Sequence, residues 1–299
     1  MAIIPTERFQ NVTVPKRSLL QSRRFHRNVA RTVTYIFCIG FTVVMLFPLA
    51  WLIRSSLMSL DQIFLFPPEW IPKPWLWSNY PDAWTTAPFG RYFFNTIVIV
   101  GLVMAGTIIS ATISAFGFAR LRWPGRDIVF GAMMTTLMLP YAVTLIPTFI
   151  IWSKLGFTNT IVPLTLPAWF GGGMFNIFLL RQFFRGIPRD LDEAAMLDGA
   201  NPLRILWDII IPLSRPALIT VGIFSFLSTW NDFLNPLIYL TDSNKFTLAI
   251  GLTQFKGLYN SEWGLLMAAS TLVFLPALVI FFVAQRYFVE GIAVTGLKG

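Results

Sequence analysis

The stretch from Glu193 to Pro216 reads EAAMLDGANPLRILWDIIIPLSRP, and it places charged residues and prolines between two long apolar segments. The whole chain of 299 residues has a mean hydropathy of +0.65, and 12% of its residues are charged. A soluble domain carries about 25% charged residues. The composition therefore predicts an all-α membrane protein, in which this polar interruption has a role of its own.

Six segments are apolar over about 20 residues, the length that a helix needs to cross the hydrocarbon core of a bilayer. We expect a bundle of six transmembrane helices. The predicted spans are 33–53, 92–118, 128–151, 161–181, 215–240 and 264–287. Prolines and the triplet of glycines at 171–173 interrupt the third and fourth spans, which is typical of helices packed around a pathway.

The distribution of basic residues predicts the orientation. Of the 23 Lys and Arg residues, 17 lie before the first span, after the second, after the fourth or after the sixth. The positive-inside rule then places both termini and the interrupting stretch in the cytoplasm. The net charge of +9 is explained by this asymmetry, so no nucleic-acid partner is expected. The predicted domains are a basic tail (1–32), a six-span domain (33–290) with an insert at about 185–212, and a C-terminal tail (291–299).

The insert is predicted to form two short amphipathic helices. Pro188 and the acidic residues after it suit a first helical turn, and Gly199 suits a C-terminal cap. Asn201 and Pro202 suit the start of the second helix. One predicted apolar face of this second helix comprises Leu203, Leu206, Trp207 and Ile210.

The first of these helices presents small side chains and negative charge. Leu191, Ala194 and Ala195 form a face that another surface can approach closely, and the segment from Asp190 to Asp198 is acidic. A helix lying on lipid headgroups would carry Lys and Arg instead. The acidic helix therefore favours docking to a basic protein groove over contact with anionic lipid.

The pattern E-A-A, three residues, G and a later P resembles the cytoplasmic signature of permeases of ATP-binding-cassette importers. Here it comprises Glu193, Ala194, Ala195, Gly199 and Pro212. The runs IPRDLDEAAMLDGA and IPLSRP resemble the sugar importers in particular, as do APFGRYFFNT, WNDFLNPL and GIAVTGLKG. The chain is most similar to the second permease subunit of maltose-type importers, which carries a short C-terminal tail.

This resemblance implies a permease of the bacterial inner membrane that is not itself an enzyme. Its protein partners would be a homologous six-span permease, a dimer of ATPase subunits that holds ATP and Mg, and an extracytoplasmic sugar-binding protein. The loop 241–262 would reach this sugar-binding protein. The chain would also contact membrane lipid and a carbohydrate substrate. The implied ATPase-coupling residues are Glu193, Ala194, Ala195, Asp198 and Gly199. The implied tail contact comprises Gly296, Lys298 and Gly299.

One ionisable residue within an apolar segment predicts contact with substrate. Asp232, with Trp230 and Asn231 beside it, offers an aromatic face and polar oxygens that suit a sugar. Consecutive residues point about 100° apart on a helix, so all three cannot face one cavity equally. A hydrated Asp232 near the end of the span remains the alternative.

The remaining sequence features bear on the class of protein. The Pro- and Trp-rich loop 54–91 fits an aromatic belt at the membrane surface or a docking surface. The chain has no phosphate-binding P-loop motif, one histidine (His26) and one cysteine (Cys38), so we expect no catalytic or metal site. A stand-alone carrier or channel is the main alternative to an importer permease, and a membrane scaffold is another.

Overall fold

The computed structural model describes residues 23–256 and 262–296, with side chains described at 27–256 and 262–285. Its regular structure in these ranges is helical, without a β-strand. The α-helices are α1 (Arg23–Ser55), α2 (Leu60–Ile63), α3 (Asn79–Thr86), α4 (Phe89–Ala119), α5 (Arg126–Thr135), α6 (Tyr141–Lys154), α7 (Val162–Thr165), α8 (Met174–Gly186), α9 (Asp190–Leu197), α10 (Pro202–Ile205), α11 (Ile211–Leu213), α12 (Arg215–Trp230), α13 (Leu234–Tyr239), α14 (Leu248–Gly251) and α15 (Trp263–Gly296). Short 3-10 turns lie at Thr136–Met138, Leu166–Trp169, Ser243–Lys245 and Leu252–Phe255, and a π-helical turn at Leu206–Ile210.

The described residues divide into two units, one up to residue 51 and one from residue 52 onward. In the described residues, four helices are long and apolar enough to cross a membrane: Arg27–Ser55, Phe89–Ala119, Val162–Gly186 and Trp263–Gln285. Two bent helix pairs raise the number to six if each pair is one span. The predicted helices at 33–53, 92–118 and 264–287 are confirmed as parts of α1, α4 and α15.

The predicted interruption of the third span, 128–151, is confirmed, and it is a sharp bend. Arg126–Met138 and Tyr141–Lys154 meet at 100°. Pro140 causes the break, because proline cannot donate a backbone hydrogen bond and forces the residue before it out of the helical region. Leu139 accordingly has a ψ angle of 119°.

The fourth predicted span is also interrupted, at the glycine triplet between Trp169 and α8. All three glycines have positive φ angles, which side chains with a Cβ rarely adopt. At Gly172 the contact with α4 is also too close for a larger residue, since a Cβ there would lie 2.6 Å from the carbonyl oxygen of Thr107. The glycines therefore shape the packing of this segment against α4.

The fifth predicted span, 215–240, is broken into α12 and α13. The segment Pro202–Leu213 meets α12 at 80°, and Asn231 to Phe233 separate α12 from α13. The core of the second unit is built around α4. The C-terminal half of α4 packs with α8 and shares a buried cluster with Leu206 and Ile210. Its N-terminal half packs with α3 and α12, which in turn contact α15.

Candidate functional site

Helix α9 has well-defined ends. It begins at Asp190, with Arg189 as its N-cap. Pro188 therefore precedes the helix, and the prediction that it lies in the first turn is wrong. At the other end, the N–H of Gly199 donates to Met196 O and the N–H of Ala200 donates to Ala195 O. This pair of bonds is a Schellman motif, which requires the positive φ of Gly199, +82°. The predicted glycine cap is confirmed.

The second part of the insert begins as predicted but is not one regular helix. The side-chain oxygen of Asn201 accepts a hydrogen bond from the backbone N–H of Arg204 at 2.8 Å, which is N-capping geometry. A π-helical turn at Leu206–Ile210 follows α10 and divides the predicted apolar face. Leu206 and Ile210 are buried, whereas Leu203 and Trp207 are about 64% and 63% exposed. The prediction of one continuous apolar face is therefore wrong.

A buried ion pair attaches α9 to the end of α4. Arg120 Nη1 lies 3.1 Å from Asp192 Oδ2, and the two side chains are 3% and 10% exposed. This contact was not predicted from the sequence, in which Asp192 belongs to the acidic stretch of α9. Its partner is 72 positions away, so neither helical periodicity nor local charge pattern indicates the pair.

The same guanidinium also holds the C-terminal end of α8. Arg120 Nη2 donates to Phe184 O at 2.6 Å and to Ile187 O at 2.9 Å. A cation at this position suits the free carbonyl groups and the negative end of the helix dipole. Burial lowers the pKa of Arg120, and the charge of Asp192 partly offsets this effect. Arginine stays protonated in proteins, so one charged group joins α4, α8 and α9.

Beyond this pair, most of the surface of α9 is exposed, and we call this exposed surface the open face. Glu193, Ala194, Asp198 and Gly199 are exposed, and Ala195 is half-buried. Further apolar area comes from Met196 and Leu197, of which Leu197 is 90% exposed. Neither residue is among the predicted coupling residues, although both lie between the small residues and the glycine cap. The open face thus combines a carboxylate at each end with apolar side chains between them.

The predicted substrate-contacting residues divide into two environments. Trp230 is buried, its ring stacks on Phe226, and its indole N–H donates to Val273 O at 3.1 Å. Asn231 is exposed, and its side-chain amide donates to Leu227 O. Asp232 is half-buried and lies between α12 and α13, where its Oδ1 accepts from the N–H of Asn235 at 3.2 Å. Trp230 and Asp232 therefore do not share one surface.

The predicted tail contact lies mostly beyond the described part of the chain. Helix α15 continues through Gly296, whereas Lys298 and Gly299 are outside the described residues. In the described residues, no group of three or more His, Cys, Asp or Glu side chains is arranged to hold a metal ion.

Broken apolar helices long enough to cross a membrane are typical of membrane transport proteins. The chain belongs to the family described as the inner membrane component of binding-protein-dependent transport systems, whose model matches residues 107–294. This assignment confirms the resemblance inferred from the Glu-Ala-Ala signature.

Curated relatives support the same assignment over most of the chain. It is 32% identical over 272 residues to the probable ABC transporter permease protein YurM of Bacillus subtilis, covering 91% of this chain and 90% of the relative. It is 32% identical to the diacetylchitobiose uptake system permease protein NgcG of Streptomyces coelicolor, covering 85% and 84%. It is 33% identical to the sn-glycerol-3-phosphate transport system permease protein UgpE of Pectobacterium atrosepticum, covering 84% and 91%.

A solved structure shows the same fold. A chain of a bacterial ABC transporter that imports the acidic polysaccharide alginate matches with a TM-score of 0.78 and 24% identity, covering 89% of this chain and 98% of that one. A second match, with a TM-score of 0.64 and 16% identity, covers 88% and 96% and comes from an alginate transporter in complex with a periplasmic protein that holds alginate pentasaccharide.

The chain is therefore an inner membrane permease component of an ABC importer. Membership of this family excludes the two alternatives raised by the sequence, a stand-alone carrier or channel and a membrane scaffold, because the family consists of components of transport systems. A permease component is also distinct from the ATPase of such a system.

Proposed function

We propose that this chain forms half of the translocation pathway of an ATP-driven carbohydrate importer and that α9 docks into a separate ATPase subunit. The other half is a homologous permease, an ATPase dimer binds ATP and Mg, and an extracytoplasmic binding protein delivers the sugar. The substrate class rests on the names of relatives, which include a diacetylchitobiose uptake permease.

The observation that carries the docking proposal is the two-sided character of α9. On its inner side, Asp192 is held by Arg120 at 3.1 Å. On its outer side, Glu193 is exposed beside the small residues Ala194 and Ala195. A force applied to the open face is therefore transmitted to α4 and α8 through the buried pair, which is what coupling of ATP hydrolysis to transport requires.

The proposed topology places α9 in the cytoplasm, together with both termini and six membrane crossings. The positive-inside distribution supports it, as do the two bent helix pairs when each is counted as one span. The coupling residues are Glu193, Ala194, Ala195, Asp198 and Gly199, and the tail residues Gly296, Lys298 and Gly299 add a second contact with the ATPase.

The test is purification of the chain from its native membrane in a mild detergent, followed by reconstitution of the complex into proteoliposomes. We expect a second permease and a soluble ATPase to co-purify. Uptake is then measured with radiolabelled maltose, diacetylchitobiose, an alginate oligosaccharide and sn-glycerol 3-phosphate, with and without ATP inside. ATP-dependent uptake of a carbohydrate supports the proposal.

Uptake that is independent of ATP would contradict the proposal. A complex that transports sn-glycerol 3-phosphate but none of the carbohydrates would leave the coupling role intact and refute the substrate class.

A further inference from the structure

The breaks in two different membrane segments bring polar side chains together at one place. Tyr141 begins α6 directly after the bend at Pro140, and Asn235 lies in α13 just after the break that follows α12. The Tyr141 hydroxyl donates to Asn235 Oδ1, and Asn235 Nδ2 donates to Asp232 Oδ2 at 2.9 Å. We name Tyr141, Asp232 and Asn235 the polar triad.

The lengths of the helices that lead to the triad indicate that it lies at membrane depth. The segment Arg126–Met138 spans about 20 Å and α12 spans about 24 Å at 1.5 Å per residue. Both lengths are shorter than the hydrocarbon core of about 30 Å. With residues 126 and 215 at the cytoplasmic surface of the membrane, as the positive-inside distribution predicts, the two breaks fall within the bilayer at similar depths.

The surface around the triad is apolar. Met138 and Leu139 on one side and Leu234 on the other are exposed, and Tyr141 itself is 49% exposed. A carboxylate at this depth is too costly to face lipid, so it must face a water-lined cavity or another protein chain. Broken helices that border such a cavity are a common way to build a substrate site in transporters.

The capping role of Asp232 does not account for the triad. One carboxylate oxygen of Asp232 accepts the backbone N–H of Asn235, and an uncharged Asn or Ser does this equally well. The second oxygen holds the Asn235 amide, which in turn orients its carbonyl toward Tyr141 on a different segment. These linked hydrogen bonds hold the donors and acceptors of the three side chains in fixed positions on an exposed surface.

We infer that the polar triad binds hydroxyl groups of a carbohydrate as it passes through the permease, an inference that rests on the proposed function. The carboxylate of Asp232 and the phenol oxygen of Tyr141 keep free acceptor positions, and the Asn235 amide keeps a second N–H donor. A sugar hydroxyl both donates and accepts, so it fits this mixture. Trp230 takes no part in this site, since its side chain is buried and its indole N–H donates to Val273 O of α15.

The test uses the reconstituted complex and the carbohydrate that the wild-type complex transports. Tyr141→Phe and Asn235→Leu each remove polar groups of the triad, and Tyr35→Phe removes an exposed phenol in α1 as the matched control. We expect uptake to fall about threefold to tenfold in each triad variant, the range for loss of one neutral hydrogen bond. Basal ATP hydrolysis, co-purification of the partners and sugar binding by the binding protein should stay unchanged, and Tyr35→Phe should behave as wild type.

Two results would overturn the inference while leaving the proposed function in place. One is wild-type uptake kinetics in both triad variants. The other is loss of the second permease from complexes of the triad variants but not of Tyr35→Phe, which would identify the triad as a contact between permeases. A wild-type complex that transports no carbohydrate would remove the proposed function itself, and the inference with it.

Discussion

The substitution Asp192→Asn tests whether the buried pair holds α9 in place. Removing one partner of a buried ion pair costs about 3–5 kcal/mol, because the remaining charge is left without its counter-ion. Asparagine keeps the size of the side chain and one acceptor, and Arg120 keeps its bonds to Phe184 O and Ile187 O. Asp192 Oδ1 and Arg120 Nε are buried without a hydrogen-bond partner among the described residues, so the pair is not ideally satisfied.

These considerations place the expected loss at about 2–3 kcal/mol, below the range for a fully satisfied pair. Since 1.4 kcal/mol corresponds to a factor of ten, α9 should detach about 30- to 150-fold more often. Amide hydrogen exchange of the purified permease measures this directly, because local opening sets the exchange rate. The amides of α9 should exchange faster, while those in the middle of α4 keep their protection.

Glu193→Gln is the matched control, since it removes the neighbouring carboxylate from the exposed side of the same helix. Its amides in α9 should exchange at the wild-type rate. Equal exchange in Asp192→Asn and wild type would refute the anchoring role of the pair. Faster exchange in both variants would show that any loss of charge destabilises this helix.

Three further substitutions probe the docking face and the glycines. Glu193→Lys should reduce co-purification of the ATPase about tenfold or more by reversing an exposed charge, without changing membrane insertion; unchanged co-purification would refute its docking role. Gly199→Ala should destabilise the end of α9 by about 1–2 kcal/mol because of its φ of +82°. As the control, Gly117→Ala should not destabilise the permease in thermal unfolding, because Gly117 lies in the last turn of α4 and a Cβ there would meet no atom within 4 Å. Gly172→Ala should lower the yield of folded permease in size-exclusion chromatography, because its Cβ would lie 2.6 Å from Thr107 O; a wild-type yield would contradict the close packing.

Local chemistry made the C-terminal end of α9 and the start of α10 predictable. Gly199 and Asn201 adopt the cap geometries that their side chains favour, whatever the surrounding fold. The breaks were predictable only in part. Pro140 identifies a place where a helix is weakened, but the angle of 100° between the two segments depends on how they pack.

Contacts between distant residues could not be predicted from a single sequence. Arg120 is one of several basic residues near the end of its span, and nothing in the pattern selects it as the partner of Asp192. The same holds for Tyr141, which meets Asn235 across 94 positions. Helical periodicity also misplaced half of the apolar face after Asn201, because a π-helical turn changes the direction of the side chains there.

The central claim, that the open face of α9 docks the ATPase in the cytoplasm, is tested most directly by photo-crosslinking in cells. A photoreactive amino acid is placed at Leu197, which is 90% exposed on α9, and separately at Phe66, which is 92% exposed in the loop predicted on the opposite side of the membrane. We predict an adduct between position 197 and a soluble ATPase, and no such adduct from position 66. An ATPase adduct from position 66, or none from position 197 in a complex that retains the ATPase, would contradict the account.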